Sequence, residues 1–318
     1  MASQRDVRNK IASVKNIQKI TRAMEMVAAA RLRRAEQRIS ALRPYADAIG
    51  RMTRQAAQAA GAETQRLPLL REHESESNVG LLLVTGDRGL AGGFNSQVIR
   101  AGVRLSAELT GEGLSSSWYA TGRRGVSSLS FRGNELSGSY TGFSDRPSYA
   151  DARTIAEDVI QAYVEGHVDR VEMLYNSYVS PLTQQVTRQR LLPVSHEAIA
   201  GERDGEEQAS ARGGVSPGGV SPGAHDASAT PKRTSVDYEP DPEKILRRLV
   251  PDYIEISIYR ALVESAAGFF GAQMTAMRSA SENAGEIITE YTLQMNRARQ
   301  AEITQEIMEV VAGAEGLS

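Results

Sequence analysis

The sequence predicts an α/β protein: a long antiparallel coiled coil of N- and C-terminal helices with a small α/β domain inserted between them. Both ends of the chain carry apolar residues at helical spacing over unusually long stretches. The middle alternates apolar, strand-like runs with helical segments, which is typical of a largely parallel sheet. These observations predict a rod that projects from a compact base.

The overall composition sets broad limits on function. The 318 residues are 41% hydrophobic, enough for a substantial core, and the formal net charge is only -2. Attraction to nucleic acid or acidic lipid would therefore need a local patch. The absence of cysteine excludes disulfides, thiolate catalysis, iron-sulfur clusters and cysteine-ligated zinc. We expect no secretion signal and no membrane-spanning helix, because no run of apolar residues is long enough.

Residues 1–62 predict the first long helix of the coiled coil. Pro44 and Gly50 interrupt a sequence otherwise dominated by good helix formers. Steps of four and three residues define a heptad seam, which is typical of a helix that wraps a partner helix. The seam comprises Val7, Ile11, Val14, Gln18, Thr21, Glu25, Ala28, Leu32, Ala35, Ile39, Leu42, Ala46 and Ile49. Its middle is polar, and we expect a neighbouring apolar stripe to fill that gap. The stripe comprises Ile17, Ile20, Met24 and Val27.

Residues 240–318 predict the second long helix. Its inner face alternates apolar and small residues, which favour the close approach of another helix. The predicted face comprises Ile254, Ile258, Ala261, Leu262, Ser265, Phe269, Ala272, Ala276, Ala280, Ile287 and Tyr291. At about 1.5 Å per residue, roughly 55 residues extend about 80 Å, far more than an ordinary domain is wide. We therefore expect the two terminal helices to pair with each other outside the domain.

Residues 75–196 predict a Rossmann-like α/β domain at the foot of the coiled coil. An apolar strand at residues 79–85 is followed by the glycine-rich turn GDRGLAGGFN and a helix that begins near Asn95, which could cap it. A later helix is expected to begin near Asp151. The further strands are expected at residues 115–122, 170–179 and 184–194, and the later helix at residues 149–166.

Residues 201–238 predict a flexible insertion. They are rich in Gly, Ser, Pro and Ala and contain a tandem GGVSP repeat. Such a composition does not bury enough apolar area to order itself.

The sequence predicts no catalytic residue, no cofactor site and no metal site. The glycine-rich turn lacks the Lys-Ser/Thr of a P-loop and the GxGxxG spacing of a dinucleotide site. A structural connection, with Asp87 and Arg88 in hydrogen bonds, is favoured over anion binding at the helix start. The histidines are separated in the sequence and lack the spacing of a metal site, so we expect them at the surface. They are His73, His167, His196 and His225.

The first helix is basic, which leaves nucleic acid or a membrane surface as alternative partners. No aromatic residue precedes Tyr45, and the positive charges fall on several faces of the helix. A basic shaft that faces an acidic protein partner is favoured. A nucleotide-dependent enzyme also remains as an alternative, and it predicts ATP or dinucleotide binding that is lost when Gly92 or Gly93 is changed.

Three separated segments carry a family resemblance. They are RNKIASVKNIQKITRAMEMVAAARLRRAEQRI near the start, TGDRGLAGGFN in the middle and YTLQMNRARQAEITQEIMEVVAGAEGL near the end. Together they closely resemble the gamma subunit of F-type ATP synthases of the bacterial type. The resemblance covers nearly the whole chain, and both terminal motifs occur at the right ends. Residues 201–235 depart from the family pattern because they are longer than the family requires.

The resemblance implies a non-catalytic rotor subunit of the central stalk. In this family the coiled coil enters a ring of alternating alpha and beta subunits, and the α/β domain sits on the c-ring beside the epsilon subunit. Proton-driven rotation of the asymmetric shaft then changes the state of each catalytic beta subunit in turn. The resemblance also implies a peripheral location at the cytoplasmic face of the plasma membrane, through the c-ring only, and no nucleic-acid partner.

Positions that match the motifs of this family imply three groups of residues that contact other subunits. The alternative for each residue is ordinary coiled-coil packing or exposure to solvent. A basic segment would face the acidic lever region of beta: Arg22, Met24, Arg31, Arg33 and Arg34. A polar group would contact a beta loop: Arg299, Gln300, Thr304 and Glu306. An apolar tip would turn in a hydrophobic sleeve: Ile303, Ile307, Val310 and Val311.

Overall fold

The computed structural model describes residues 4–61, 67–73, 75–194 and 242–315. The insertion predicted at residues 201–238 lies outside the described residues, as do His196 and His225. In chain order the elements are α1 (Gln4–Ala60), β1 (Asn78–Val84), α2 (Phe94–Gly111), β2 (Ser115–Thr121), α3 (Arg123–Phe131), β3 (Leu136–Tyr140), α4 (Tyr149–Val164), β4 (Arg170–Ser180), β5 (Thr183–Leu192) and α5 (Pro242–Glu315).

The two terminal helices α1 and α5 pair side by side in opposite directions. Glu25 of α1 accepts a hydrogen bond of 2.9 Å from Arg278 of α5. Closer to the start of α1, the Lys10 ammonium lies 5.8 Å from the centroid of the Tyr291 ring. Contacts nearer the start of α1 thus fall nearer the end of α5, which confirms the predicted antiparallel coiled coil.

The heptad seam of α1 faces α5 as predicted, but the neighbouring apolar stripe does not. Val7, Ala28 and Leu32 are buried, whereas the stripe residues Ile17, Ile20 and Val27 are exposed. The polar middle of the seam needs no apolar filling, because its polar groups find partners of their own. Thr21 donates to the Gln18 carbonyl at 3.0 Å, Gln18 donates to the Ser281 carbonyl at 3.3 Å and Glu25 binds Arg278.

The inner face of α5 changes character along its length. Between Ile254 and Phe270 the foot domain and α1 cover it from different sides, so most residues there are buried. Farther along, Met277 and Ala284 are buried while Ile287 is exposed. Heptad steps from the buried residues Met277 and Ala284 lead to Ile288 and Tyr291. The prediction that Ile287 lies on the inner face was therefore wrong by one position.

The foot domain is a five-stranded sheet in the order β3-β2-β1-β4-β5. Its first four strands are parallel and β5 pairs antiparallel with β4, which confirms the largely parallel sheet. The elements α3 and β3 were not predicted, because RRGVSSLSF and LSGSY have no strong apolar pattern. The helix α4 begins at Tyr149, as predicted, and the side chains of its N-cap residue Ser148 and of Asp151 form a capping box.

The central strands of the sheet, β1 above all, are buried on both faces, as expected for parallel strands. Leu81 and Leu83 of β1 point towards α2 and α3, where they pack with Val98 and Leu129. Alternate residues of the same strand point to the other face, which α4 covers together with the first half of α5. Because α5 belongs to both the sheet core and the coiled coil, the foot and the shaft share one continuous structure.

The glycine-rich turn between β1 and α2 is closed by Asn95, although not as a helix cap. Gly93 is the N-cap residue of α2 and provides no side-chain hydrogen bond. The Asn95 amide oxygen accepts from the Gly86 N–H at 2.7 Å, and its NH2 group donates to the Arg88 carbonyl at 3.0 Å. The predicted capping role of Asn95 was therefore wrong, because its side chain reaches back across the turn.

The Asp87 carboxylate joins three segments of the foot domain. It accepts from the backbone N–H of Arg123 at 3.0 Å, of Gly142 at 3.0 Å and of Ser144 at 3.1 Å, and from the Ser144 hydroxyl at 2.8 Å. Burial raises the pKa of Asp87, but these hydrogen bonds outweigh it and hold the pKa below its usual value. The predicted structural role of Asp87 agrees with this geometry.

A second carboxylate, Asp169, fixes the start of β1. It accepts from the N–H groups of Ser77 at 2.7 Å and Asn78 at 2.9 Å, and it lies 2.8 Å from Nδ1 of His73. The His73 ring also stacks on Tyr163, with 4.6 Å between centroids. His73 is thus only partly exposed and has a carboxylate partner, contrary to the expectation for the histidines. Burial raises the pKa of Asp169, but the hydrogen bonds from His73, Ser77 and Asn78 lower it strongly overall.

Replacing Asp87 by Ala should lower the free energy of unfolding of the foot domain by about 2 kcal/mol, because several N–H donors lose a charged acceptor. Urea unfolding followed by Trp118 fluorescence measures this loss, since Trp118 is the single tryptophan and is buried in the sheet. The matched control is Glu157→Ala, which removes an exposed ion pair with Arg153 and should change stability by less than about 0.5 kcal/mol. Equal effects of the two changes would contradict the role of Asp87.

The contribution of Asp169 should depend on pH in a defined direction. Its pKa is lower in the folded chain, so its stabilisation is present above the unfolded-state pKa of about 3.9 and is lost as pH falls through the folded value. We expect Asp169→Asn to be less stable than the parent at pH 5–7 by about 2 kcal/mol, with the difference shrinking below about pH 4. A difference that grows in acid would disprove this assignment.

Candidate functional site

The last turns of α5 project beyond the start of α1. In the antiparallel register Lys10 lies beside Tyr291, so Gln4, the first residue of α1, lies beside a residue just before Arg299. Every side chain described between residues 299 and 312 is exposed. At about 1.5 Å per residue, the projecting part of the helix is roughly 25 Å long. The described part of the chain covers none of its faces.

The projecting helix carries an apolar ridge. Ile303, Ile307 and Val310 follow a spacing of four and three residues, which places them on one face. Their exposed fractions are 46%, 58% and 73%, and that of the neighbouring Val311 is 48%. Four large aliphatic side chains so exposed on one helix are typical of a surface that another molecule covers.

The polar residues predicted at the tip lie beside this ridge. Arg299, Gln300, Thr304 and Glu306 are all exposed. The Thr304 hydroxyl donates to the Gln300 carbonyl at 2.8 Å, so that donor is satisfied within the helix. Both groups of residues thus lie on the projecting part of α5.

The basic segment of α1 is divided by the structure. Arg22, Arg33 and Arg34 are exposed, and Met24 is half-buried. Arg31 instead reaches the foot domain, where its guanidinium lies 3.2 Å from the Asp145 carboxylate. The same guanidinium lies 5.7 Å from the centroid of the Phe270 ring of α5. The charge of Arg31 is thus balanced within the chain.

Arg31 and Asp145 belong to the region where the foot domain packs against the shaft, called the joint below. The sequence did not predict this region. Asp145 also lies 3.4 Å from Arg88 of the glycine-rich turn, so one carboxylate bridges shaft and turn. On the other side of the joint, the Tyr178 hydroxyl of β4 donates to the Glu36 carboxylate of α1. Burial and the neighbouring Glu36 raise the pKa of Tyr178. Arg31 and Asp145 are 114 residues apart and Glu36 and Tyr178 are 142 apart, so no local pattern connects them.

The joint has an apolar centre beneath these polar contacts. Ala91 and Phe94 of the glycine-rich segment pack with Leu32, Phe269 and Phe270. The rings of Phe94 and Phe269 meet edge to face, with 5.7 Å between centroids. The glycine-rich turn is therefore packed against the shaft.

The hairpin of β4 and β5 completes the joint. A Cβ atom on Gly271 of α5 would lie 2.8 Å from the Pro181 carbonyl oxygen, so only glycine allows this approach. Gly268 faces Phe94 and Gln184 in the same way, at 3.1 and 3.2 Å. The small residues predicted to bring α5 close to another helix here bring it close to the foot domain as well.

Over the described ranges, no cluster of three or more His, Asp or Glu side chains has the arrangement of a metal site.

The predicted alternative of a nucleotide site centres on the glycine-rich turn. There the Gly86 N–H is taken by Asn95, and a Cβ on Gly86 would meet the Phe269 ring at 3.2 Å. This geometry favours a structural joint.

Within the described residues, no helix has an apolar stretch sufficient to cross a membrane.

Comparison with known proteins gives consistent matches over the whole chain. The family described as ATP synthase matches residues 3–317. The ATP synthase gamma chain of Rubrobacter xylanophilus is 41% identical over 318 residues, which cover 100% of this chain and 99% of the relative. The ATP synthase gamma chain of Nostoc punctiforme is 39% identical over 318 residues, with 100% of both chains covered.

Solved structures with the same fold are rotor components of ATP synthases. A chain of the Euglena gracilis mitochondrial ATP synthase rotor superposes with a TM-score of 0.62 at 17% identity, covering 94% of this chain and 98% of that one. A chain from the central stalk and c-ring of Tetrahymena thermophila mitochondrial ATP synthase gives a TM-score of 0.57 at 23% identity, with 82% and 99% covered. At these identities the likeness concerns the fold, and the family follows from the sequence matches: the chain belongs to the ATP synthase gamma chain family.

Proposed function

We propose that this chain is the central-stalk rotor subunit of a bacterial F-type ATP synthase and has no catalytic activity of its own. It couples proton-driven rotation of a c-ring to conformational cycling of catalytic beta subunits. The observation that supports this most directly is a two-helix shaft whose bare apolar tip extends beyond a base that is packed onto the same shaft.

Transmission of torque requires the base and the shaft to move together. The apolar centre around Phe94 and Phe269 and the ion pair of Arg31 with Asp145 connect the two parts. The sharing of α5 between the sheet core and the coiled coil adds a covalent connection. A load applied to the foot would therefore reach the tip through continuous helix.

A rotor must also present different surfaces to identical subunits around it. At the height where α1 exposes Lys15, Lys19 and Ile20, the paired part of α5 exposes carboxylates. These are Glu282, Glu286 and Glu290. One side of the shaft is thus basic and apolar and the other is acidic. Subunits in a ring around this shaft would meet different charges, and differential contact is what shifts each of them between states.

The proposed partners follow from the exposed groups. The apolar ridge of the tip suits a hydrophobic sleeve formed by a ring of alpha and beta subunits. Arg22, Met24, Arg33 and Arg34 suit the acidic lever region of beta, whereas Arg31 is engaged with Asp145. The polar residues at the tip, from Arg299 to Glu306, suit a beta loop. We propose that the foot rests on the c-ring beside epsilon, which would hold the chain at the cytoplasmic face of the plasma membrane as a peripheral subunit.

The division into parts also stays a proposal. Residues 1–62 and 240–318 would form the shaft, residues 75–196 the foot and residues 201–238 an insertion. Deletion of residues 201–235 should leave assembly intact. The alternatives of a nucleotide-dependent enzyme and a nucleic-acid binder gain no support from the joint, where the glycine-rich turn packs against Phe269.

Reconstitution of the ATPase complex tests the rotor function. The whole chain should restore ATP turnover that is coupled to proton movement, whereas the chain truncated after Gln300 should assemble but turn over about tenfold more slowly, a change of about 1.4 kcal/mol. Ile303→Ser with Ile307→Ser should reproduce part of this loss, and the matched control Ile303→Leu with Ile307→Leu should not. A complex that turns over normally without this chain, or ATP hydrolysis by the isolated chain, would contradict the proposal.

Charge contacts of the shaft can be tested separately. Arg33→Gln with Arg34→Gln should lower turnover of the reconstituted complex roughly three- to tenfold and should weaken its dependence on salt, because exposed charge pairs are screened by ions. The control Arg132→Gln neutralises an exposed arginine on the foot, at the end of α3, and should have little effect. If both changes act alike, the basic segment has no special role. Salt-dependent binding of DNA by the isolated chain would instead favour the nucleic-acid alternative.

A further inference from the structure

One stretch of α5 is enclosed on all sides. Residues 261–271, called the collar segment below, are buried without exception, over about three helical turns. The foot domain covers them from one side and α1 from the other, whereas α5 is partly exposed before and after them. A smooth helix in such an enclosure could still turn about its own axis. Resistance to twisting therefore needs contacts that fit only one rotational setting of α5.

Two glycines in the collar segment provide such a contact. Gly268 and Gly271, called the notch below, lie in the interior of α5, although glycine is the poorest helix former after proline. A Cβ on Gly271 would lie 2.8 Å from the carbonyl oxygen and 3.4 Å from the Cα of Pro181. These are backbone atoms, so they cannot give way as the end of a flexible side chain can. The hairpin of β4 and β5 thus fills the space that the absent side chains leave.

The notch shares its face of α5 with a buried carboxylate. Glu264, Gly268 and Gly271 are spaced by four and three residues, which places them on one side of the helix. Glu264 accepts hydrogen bonds from the Ser177 hydroxyl of β4 at 3.1 Å and from Nε of Arg260 at 2.9 Å. The hairpin therefore contacts this face at two heights, through a polar contact at Glu264 and through close backbone packing at Gly271.

The hairpin that fills the notch is itself held in place. The Gln184 NH2 group donates to the carbonyls of Ser180 at 3.3 Å and Pro181 at 3.1 Å, which braces the turn of the hairpin. The Asn176 NH2 group donates to the Phe94 carbonyl at 3.1 Å and so ties β4 to the start of α2. A braced hairpin can transmit a twisting force that a flexible loop would absorb.

Turning α5 within the foot would bring a side chain against the hairpin. The neighbours Phe270 and Ala272 both carry a Cβ where Gly271 has none, so the Pro181 backbone could not approach them as closely. The ion pair of Arg31 with Asp145 is the corresponding contact of α1, but both partners are partly exposed, and such pairs contribute little. The foot thus holds α5 more firmly against twisting than it holds α1.

We propose that the notch, filled by the β4–β5 hairpin and fixed by Glu264 with Ser177, locks α5 against rotation within the foot, so that twisting force passes between foot and shaft through α5. This inference rests on the proposed rotor function, because only a rotor carries such a force. In the assembled complex α1 would be carried along by its pairing with α5.

Angular fluctuation of the foot in the reconstituted complex tests the lock. The ring is fixed to a surface, and a probe is attached through Phe131→Cys, a unique thiol at an exposed residue of the foot. Without ATP, Gly271→Ala should raise the variance of the probe angle at least about twofold, because close-packed contacts are what transmit strain. The matched control is Gly285→Ala farther along α5, where a Cβ would meet only the side-chain amide of Gln18 at 3.1 Å. It should leave the variance unchanged.

A milder variant keeps the test decisive if Gly271→Ala does not assemble. Ser177→Ala removes one hydroxyl and should raise the variance roughly 1.5-fold, since a buried carboxylate loses one of its donors. Both variants should keep ATP turnover without load within about twofold of the parent, because the lock bears on stiffness and not on chemistry. A variance equal to that of the parent in the assembled variants would overturn the lock and leave the rotor function intact. A parent chain that fails to restore turnover would refute the rotor function itself.

Discussion

The packing of Phe94 against Phe269 and Phe270 is the contact on which the rest of the structure depends. It places the end of β1, the start of α2 and the middle of α5 at one point. Without it, the foot would be connected to the shaft chiefly through the first half of α5, and the glycine-rich turn would have no surface to pack on. Rotation of the foot reaches the tip because this point is apolar, close-packed and buried.

The free-energy contributions of the contacts at the joint show which of them stabilise it and which set its orientation. Burial of each large aromatic side chain contributes about 1.5–3 kcal/mol, and an edge-to-face pair adds about 0.5–1.5 kcal/mol. An exposed ion pair contributes about 0–1 kcal/mol, and Arg31 and Arg88 are both substantially exposed. The apolar centre therefore supplies most of the stability. The bridging carboxylate of Asp145 instead fixes the orientation of the turn relative to the shaft.

The polar residues in the middle of the coiled coil also set an orientation, in this case the alignment of the two helices. An apolar seam throughout would pair two helices more strongly, yet it would not select one register. The bonds of Gln18 with Ser281 and of Glu25 with Arg278 are satisfied in one alignment of the helices only. This leaves Ile17, Ile20 and Val27 free on the outer surface, where they add to the basic and apolar side of the shaft. The polar seam residues thus set the register of the two helices and also leave the apolar residues of α1 on one side of the shaft surface.

The sequence by itself determined the two long helices, their pairing and the parallel sheet, because these follow from local periodicity and from the order of elements along the chain. It assigned the seam of α1 correctly from Val7 to Ile49, since every residue of that seam is buried or half-buried. Only the tertiary structure decided which residues form the joint. Asp145, Tyr178 and Glu36 meet partners far away in the chain, and Asn95 turns back to close a loop, so no periodic pattern records their roles.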